Sequence, residues 1–143
     1  MESNPLNALT EKIIGCAIEV HRELGPGLLE SIYETALCSE LSEAGLGFKR
    51  QVTIPVKYKG KRIGQQRIDL VVEDAVVVEV KSTEGVSPLV GAQVLTYLQV
   101  ADKKMGLVLN FNVKMMREGI KRYLAGGVGV RGRRARSGEL KPV

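Results

Sequence analysis

Residues 68–81 read IDLVVEDAVVVEVK, two apolar runs joined by Glu73-Asp74-Ala75 and each interrupted by charge. β-Branched runs between turn signals predict strands, and the valines at 76–78 predict one buried on both faces. Side chains alternate along a strand, so Val76, Val78 and Val80 share one face while Val77, Glu79 and Lys81 share the other. Burying Glu79 and Lys81 costs several kcal/mol unless both are paired or bind something. Asp69 breaks the preceding run in the same way. Whether the carboxylates meet depends on the connection. A two-residue turn sets Asp69 against Val78 and turns the two acids to opposite faces. A three-residue connection at 73–75 pairs Val72 with Val76 and sets Asp69 opposite Glu79. The odd connection is the expectation, because it brings the carboxylates within about 5 Å across the ladder. Two carboxylates beside a lysine would form an oxygen site for a divalent cation. The competing reading is a structural carboxylate–lysine pair at a strand end.

Working outward, LTEKIIGCAIEVHREL (9–24) has helical spacing at Ile13, Ile14, Ala17, Ile18, His21 and Leu24, with Thr10 as its expected N-cap. Gly25-Pro26-Gly27 ends it, and LLESIYETALCSELSEA (28–44) predicts a second helix. Residues 48–58 alternate as a strand in which Pro55 marks an edge or bulge. Lys59-Gly60 makes a turn, and 62–72 is the next strand. After 76–81, Ser87 caps a helix that starts at Pro88 and runs to about Ala101. Residues 105–110 are a further buried strand, and 117–124 an edge strand, although MMREGIKRYL also has helical character. The order is α-α-β-β-β-α-β-β, a mixed α/β sheet flanked by helices.

The 143 residues fit one domain over 1–125 and a tail over 126–143. The tail holds Arg131, Arg133, Arg134, Arg136 and Lys141 against Glu139, which leaves only +1 of the net +5 for the rest. It reads as a flexible solvated terminus, the competing reading being an arm that adds attraction to phosphates. No apolar run approaches the roughly 20 residues of a membrane span, and the start lacks a signal-peptide pattern. Cys16 and Cys38 match no metal-ligand spacing, so a reducing, cytoplasmic setting is expected.

A magnesium ion on such carboxylates would polarise a phosphoryl oxygen and make hydroxide available near neutral pH. Lys81 could position the water or stabilise charge in the transition state. No serine–histidine or cysteine–histidine arrangement competes, His21 being a packing or surface residue, and GPG at 25–27 lacks the rest of a phosphate loop. Glu30 and Tyr33 lie three apart on the second helix, and Gln93 and Tyr97 four apart on the third. Taken alone, each pair reads as a hydrogen bond at the rim of the core.

Gly27-Leu-Leu-Glu30-Ser-Ile-Tyr33, followed by Asp69, Glu79-Val80-Lys81, Gln93-Val-Leu-Thr-Tyr97 and VLNF at 108–111, resembles the GxxExxY proteins of the PD-(D/E)XK nuclease superfamily. The similarity runs from about Leu9 to Leu124. The resemblance implies that Asp69 and Glu79 are metal ligands, with the Val80 carbonyl as a third. It implies that Lys81 is the catalytic lysine and that Glu30 completes or supports the metal site. Gln93 and Tyr97 would orient the site or touch the nucleic-acid backbone, with Tyr33 supporting. Relatives commonly carry a histidine three residues before the glutamine, where this chain has Val90. The function implied is Mg2+- or Mn2+-dependent hydrolysis of DNA phosphodiester bonds, with Lys57, Lys59, Lys61 and Arg62 at the first hairpin tip, together with the arginines of the tail, on the backbone. The alternative is a binding or assembly module with a vestigial site, which the near-neutral core favours. The short β edges at 48–58 and 117–124 are compatible with a homodimer.

Overall fold

The computed structural model describes residues 5–126. Their element order is α1 (Pro5–Leu24), α2 (Glu30–Glu43), β1 (Phe48–Tyr58), β2 (Lys61–Val72), β3 (Val76–Lys81), α3 (Pro88–Ala101), β4 (Met105–Asn110) and β5 (Ile120–Leu124). This is the mixed α/β architecture and the order that the sequence predicts. The strands lie side by side in chain order, antiparallel except for β3 and β4. Parallel neighbours need a long crossover, which α3 provides.

The valine alternation of β3 divides the core into two layers. Val76, Val78 and Val80 join Leu70, Val72, Leu107 and Leu109 beneath α1 and α2. Val77 joins Ile54, Ile68, Val71 and Val108 beneath α3. Each such side chain taken fully out of water contributes about 1.5–3 kcal/mol. Gly106 lets α3 approach the sheet, since a Cβ there would sit 2.6 Å from Val94 Cγ1.

The turns follow local chemistry. Lys59 and Gly60 both have positive φ (50° and 81°), the two-residue hairpin turn that matches strand twist. Between β2 and β3 the Ala75 amide donates to the Val72 carbonyl at 2.9 Å, and Val72 pairs with Val76, so the connection is the odd one. Pro55 lies on the edge strand β1, just before a register shift at Val56/Lys57. Ser87 caps α3, its hydroxyl accepting from the Leu89 amide at 3.1 Å.

Two boundaries differ from expectation. Thr10 is not an N-cap, because α1 already begins at Pro5, whose fixed φ suits a first turn. Buried within the helix, Thr10 donates its hydroxyl to the Leu6 carbonyl at 2.8 Å. The ambiguous stretch at 117–124 divides into a 3-10 turn, Met116–Gly119, and β5.

Candidate active site

Pairing between β2 and β3 stops at Leu70–Val78, whereas β2 stays paired with β1 out to the hairpin tip. The two strands therefore part next to Asp69 and Glu79. There the acids replace the missing ladder bonds. The Asp69 amide donates to Glu79 Oε2 at 3.0 Å, and the Val80 amide donates to Asp69 Oδ2 at 2.8 Å. Each carboxylate thus satisfies a backbone donor of the other strand, which would otherwise be left unpaired in the interior.

The chain is bent to allow this. Ile68 and Val71 both face the α3 layer while Leu70 faces the other, so the alternation of β2 slips by one residue at Asp69. Across from it, Gln51 sits at φ 51° and drops out of the ladder. A non-glycine residue in the left-handed region is uncommon and costs free energy, and such positions cluster at functional sites.

Electrostatics set this pair apart from an ordinary strand end. Burial, and after it the negative charge of Asp69, push the Glu79 carboxyl up to about 8. Asp69 is also raised, by burial first and with the charge of Glu34 adding, although the Val80 amide, Gln51 and Lys81 act against the shift. Lys81 is near enough to favour both anions but makes no ion pair with either among the described residues. The structural carboxylate–lysine pair weighed above is therefore not formed.

The packing of α2 decides what Glu30 can reach. Glu79 shares the α3 face of β3 with Val77, while α2 packs through Tyr33, Leu37 and Leu41 in the opposite layer. Glu30 reaches the site only at its margin, where its Oε2 accepts from the Ser82 amide at 3.3 Å, one residue beyond Lys81. The Ser82 hydroxyl donates to the Leu28 carbonyl at 2.6 Å. Tyr33, fully buried and stacked on Phe111 with centroids 4.6 Å apart, donates to the Gly25 carbonyl and accepts from the Leu28 amide. The glycine–glutamate–tyrosine motif therefore forms a clamp on the exit of β3.

Glu34 is the helix acid that the sequence reading missed. It is buried, its Oε2 accepts from Arg50 at 3.1 Å, and both of its carboxylate oxygens accept from the Gln51 side-chain nitrogen at 3.2 Å. The same Gln51 nitrogen lies 3.5 Å from Asp69 Oδ1, which connects the two acids. Its one sequence signal is position: Glu34 is one helical turn after Glu30.

From the other side, Gln93 and Tyr97 of α3 line a cleft of about 670 Å3 with Asp69, Gln51 and the hairpin residues Thr53, Gln65, Gln66 and Arg67. Burial, followed by the charges of Glu79 and Asp69, raises the Tyr97 hydroxyl to about 12, so it remains a hydrogen-bond donor. Val90 packs at the margin of the α3 layer. Lys57, Lys59, Lys61 and Arg62 are exposed at the hairpin tip, with the Lys59 ammonium 5.4 Å from the exposed Tyr58 ring centroid. Arg131, Arg133, Arg134 and Arg136 lie outside the described residues.

Among the described residues no three histidine, cysteine or acidic side chains converge as a metal-ligand set, so Glu30 does not stand with Asp69 and Glu79 as a third ligand. Two carboxylates nevertheless suit magnesium, which keeps several waters and takes one or two carboxylates plus substrate phosphate. The Val80 amide faces the gap toward Asp69, and the carbonyl of the same residue points to the same side of the strand, while the Lys81 carbonyl is taken by the Phe111 amide just beyond β4.

The model of the PD-(D/E)XK nuclease superfamily matches residues 7–123, and the chain belongs to that superfamily. No curated protein matches the chain. No solved structure matches it either. Superfamily membership points to nuclease-like chemistry, generally with a divalent metal and a nucleic-acid substrate. No helix among the described residues is long and apolar enough to cross a membrane.

Proposed function

We propose that this chain is a magnesium- or manganese-dependent phosphodiesterase acting on DNA, within the GxxExxY group of the superfamily. The observation that carries the reading is the pairing of half-buried Asp69 with buried Glu79, in which each acid caps the opposite strand and neither has a direct counter-ion among the described residues. Asp69, Glu79 and the Val80 carbonyl would hold the metal, which supplies polarisation of the phosphoryl oxygen and acidification of a bound water. Lys81 then stabilises negative charge that develops on the phosphate in the transition state. Glu30 acts through Ser82, holding the backbone beyond Lys81 in place. Gln93 and Tyr97 present an amide and a hydroxyl to the substrate backbone from α3. The cations of the hairpin tip add attraction to phosphates that falls with salt.

The test is incubation of supercoiled plasmid and of labelled oligonucleotides with Mg2+ or Mn2+. Cleavage is expected with metal and is lost with EDTA and in Asp69→Asn. Metal-independent cleavage, or equal cleavage by Asp69→Asn, would reject the assignment. Nucleic-acid binding that ignores both metal and the Asp69 charge would instead favour a binding module.

A further inference from the structure

The hairpin side of the cleft beside the carboxylates carries residues that the proposed chemistry does not use. Beyond Asp69 the hairpin carries Arg67 and Gln65 at two-residue steps toward the tip, each step advancing about 7 Å along the strand. Thr53 lies across the ladder from Arg67, and Pro55 across from Gln65. The lining apart from Asp69 and Arg67 is uncharged, mostly amides. Arg67 is exposed and makes no ion pair or hydrogen bond among the described residues. Arg62, by contrast, donates to Gln65. An unpaired guanidinium two residues from a metal-ligand candidate, in a cleft of neutral donors, is built to receive an anion.

We infer that one nucleic-acid strand lies along this hairpin, with Arg67 holding the phosphate next to the one that faces Asp69 and Glu79. A cleft of about 670 Å3 has room for a nucleotide or two of one strand. The amides of Gln65 and Gln93 and the Thr53 hydroxyl contact phosphate and sugar without adding charge. The strand is therefore held mainly by position, and its salt dependence inside the cleft rests on Arg67.

This inference rests on the proposed nuclease reading, and its test separates the two. Binding of a fluorescent single-stranded DNA oligonucleotide is measured across a salt series, with Ca2+ in place of Mg2+ to suppress turnover. Arg67→Ala is expected to bind about tenfold or more weakly and to flatten the slope of log K against log salt by about 0.7. Arg67→Lys should restore the slope and part of the affinity, because it keeps the charge without the planar fork. In cleavage assays Arg67→Ala should raise KM and leave kcat within a few-fold, as loss of uniform binding requires. Unchanged melting of the variant would show that the loss is not one of folding. A wild type that binds and cuts while Arg67→Ala matches it in affinity and slope overturns the Arg67 assignment alone. Tighter binding of a duplex than of the single strand overturns the single-strand assignment. A wild type that neither binds nor cuts nucleic acid overturns both readings.

Discussion

Lys81→Ala is expected to lower the single-turnover cleavage rate by about 100-fold or more while leaving Mn2+ binding intact. Removing one preorganised group that stabilises transition-state charge commonly costs about 10²–10³ in rate. A protonated lysine cannot be a ligand, so its loss subtracts nothing from the metal's coordination. Removing a positive charge beside a cation site even favours the metal slightly. The backbone is pinned independently of the side chain, through the Phe111 amide on the Lys81 carbonyl and the two Ser82 hydrogen bonds. Calorimetric titration with Mn2+ and quenched single-turnover cleavage check the two halves separately. A variant that cuts at the wild-type rate would remove Lys81 from the chemistry.

The second large effect is on stability. Glu79 is only 4% exposed, and its carboxyl is raised from the ordinary 4.5 to about 8, by burial and then by Asp69. The folded protein therefore holds this proton more tightly than the unfolded chain does. The stability this contributes is fully present below about pH 4.5 and falls as pH rises, until it is lost above about pH 8. Glu79→Gln cannot titrate, and its Oε1 can still accept from the Asp69 amide. Metal-free Glu79→Gln is accordingly expected to exceed wild type by a few kcal/mol at pH 8.5, with the gap closing toward pH 4.5. Urea melts of both proteins in EDTA across that range measure the difference. A pH-independent gap, or a variant less stable at pH 8.5, would mean that Glu79 is not buried as a strained acid.

Much of this site is legible in the sequence because it depends on strand alternation and turn length. Val76, Val78 and Val80 against Val77 assign the two faces, and three residues at 73–75 fix the register that joins Asp69 to Glu79. Pro88 after Ser87, and Gly25-Pro26-Gly27, mark helix ends by chemistry that acts within a few residues. Thr10 shows the limit of such signals, since a hydroxyl that could cap a helix can equally bond the carbonyl four residues back.

What the sequence does not reveal is non-local. The parting of β2 from β3, the left-handed turn at Gln51 and the slip in alternation at Asp69 arise because the two acids take over backbone donors. No local propensity announces this. The choice between Glu30 and Glu34 is of the same kind. Both lie on α2, and only the packing of that helix in the opposite layer sends Glu34 to Gln51 and Asp69, and Glu30 to Ser82. The same packing changes which substitution isolates charge. Asp69→Ala would strand the Val80 amide in the interior and confound metal loss with a lost hydrogen bond, whereas Asp69→Asn keeps an acceptor.

The central claim is that Asp69 and Glu79 together hold a divalent cation. Thermal melting of wild type and Asp69→Asn at pH 7.5, with EDTA and with Mn2+ at about ten times its dissociation constant, tests it without any assumption about substrate. Binding to the folded state alone at that ratio stabilises by about 1.4 kcal/mol, so wild type should melt roughly 3–6 °C higher with metal, and Asp69→Asn should lose most of that shift. Equal melting of wild type with and without metal, or an undiminished shift in Asp69→Asn, would contradict the assignment of the pair as a metal site.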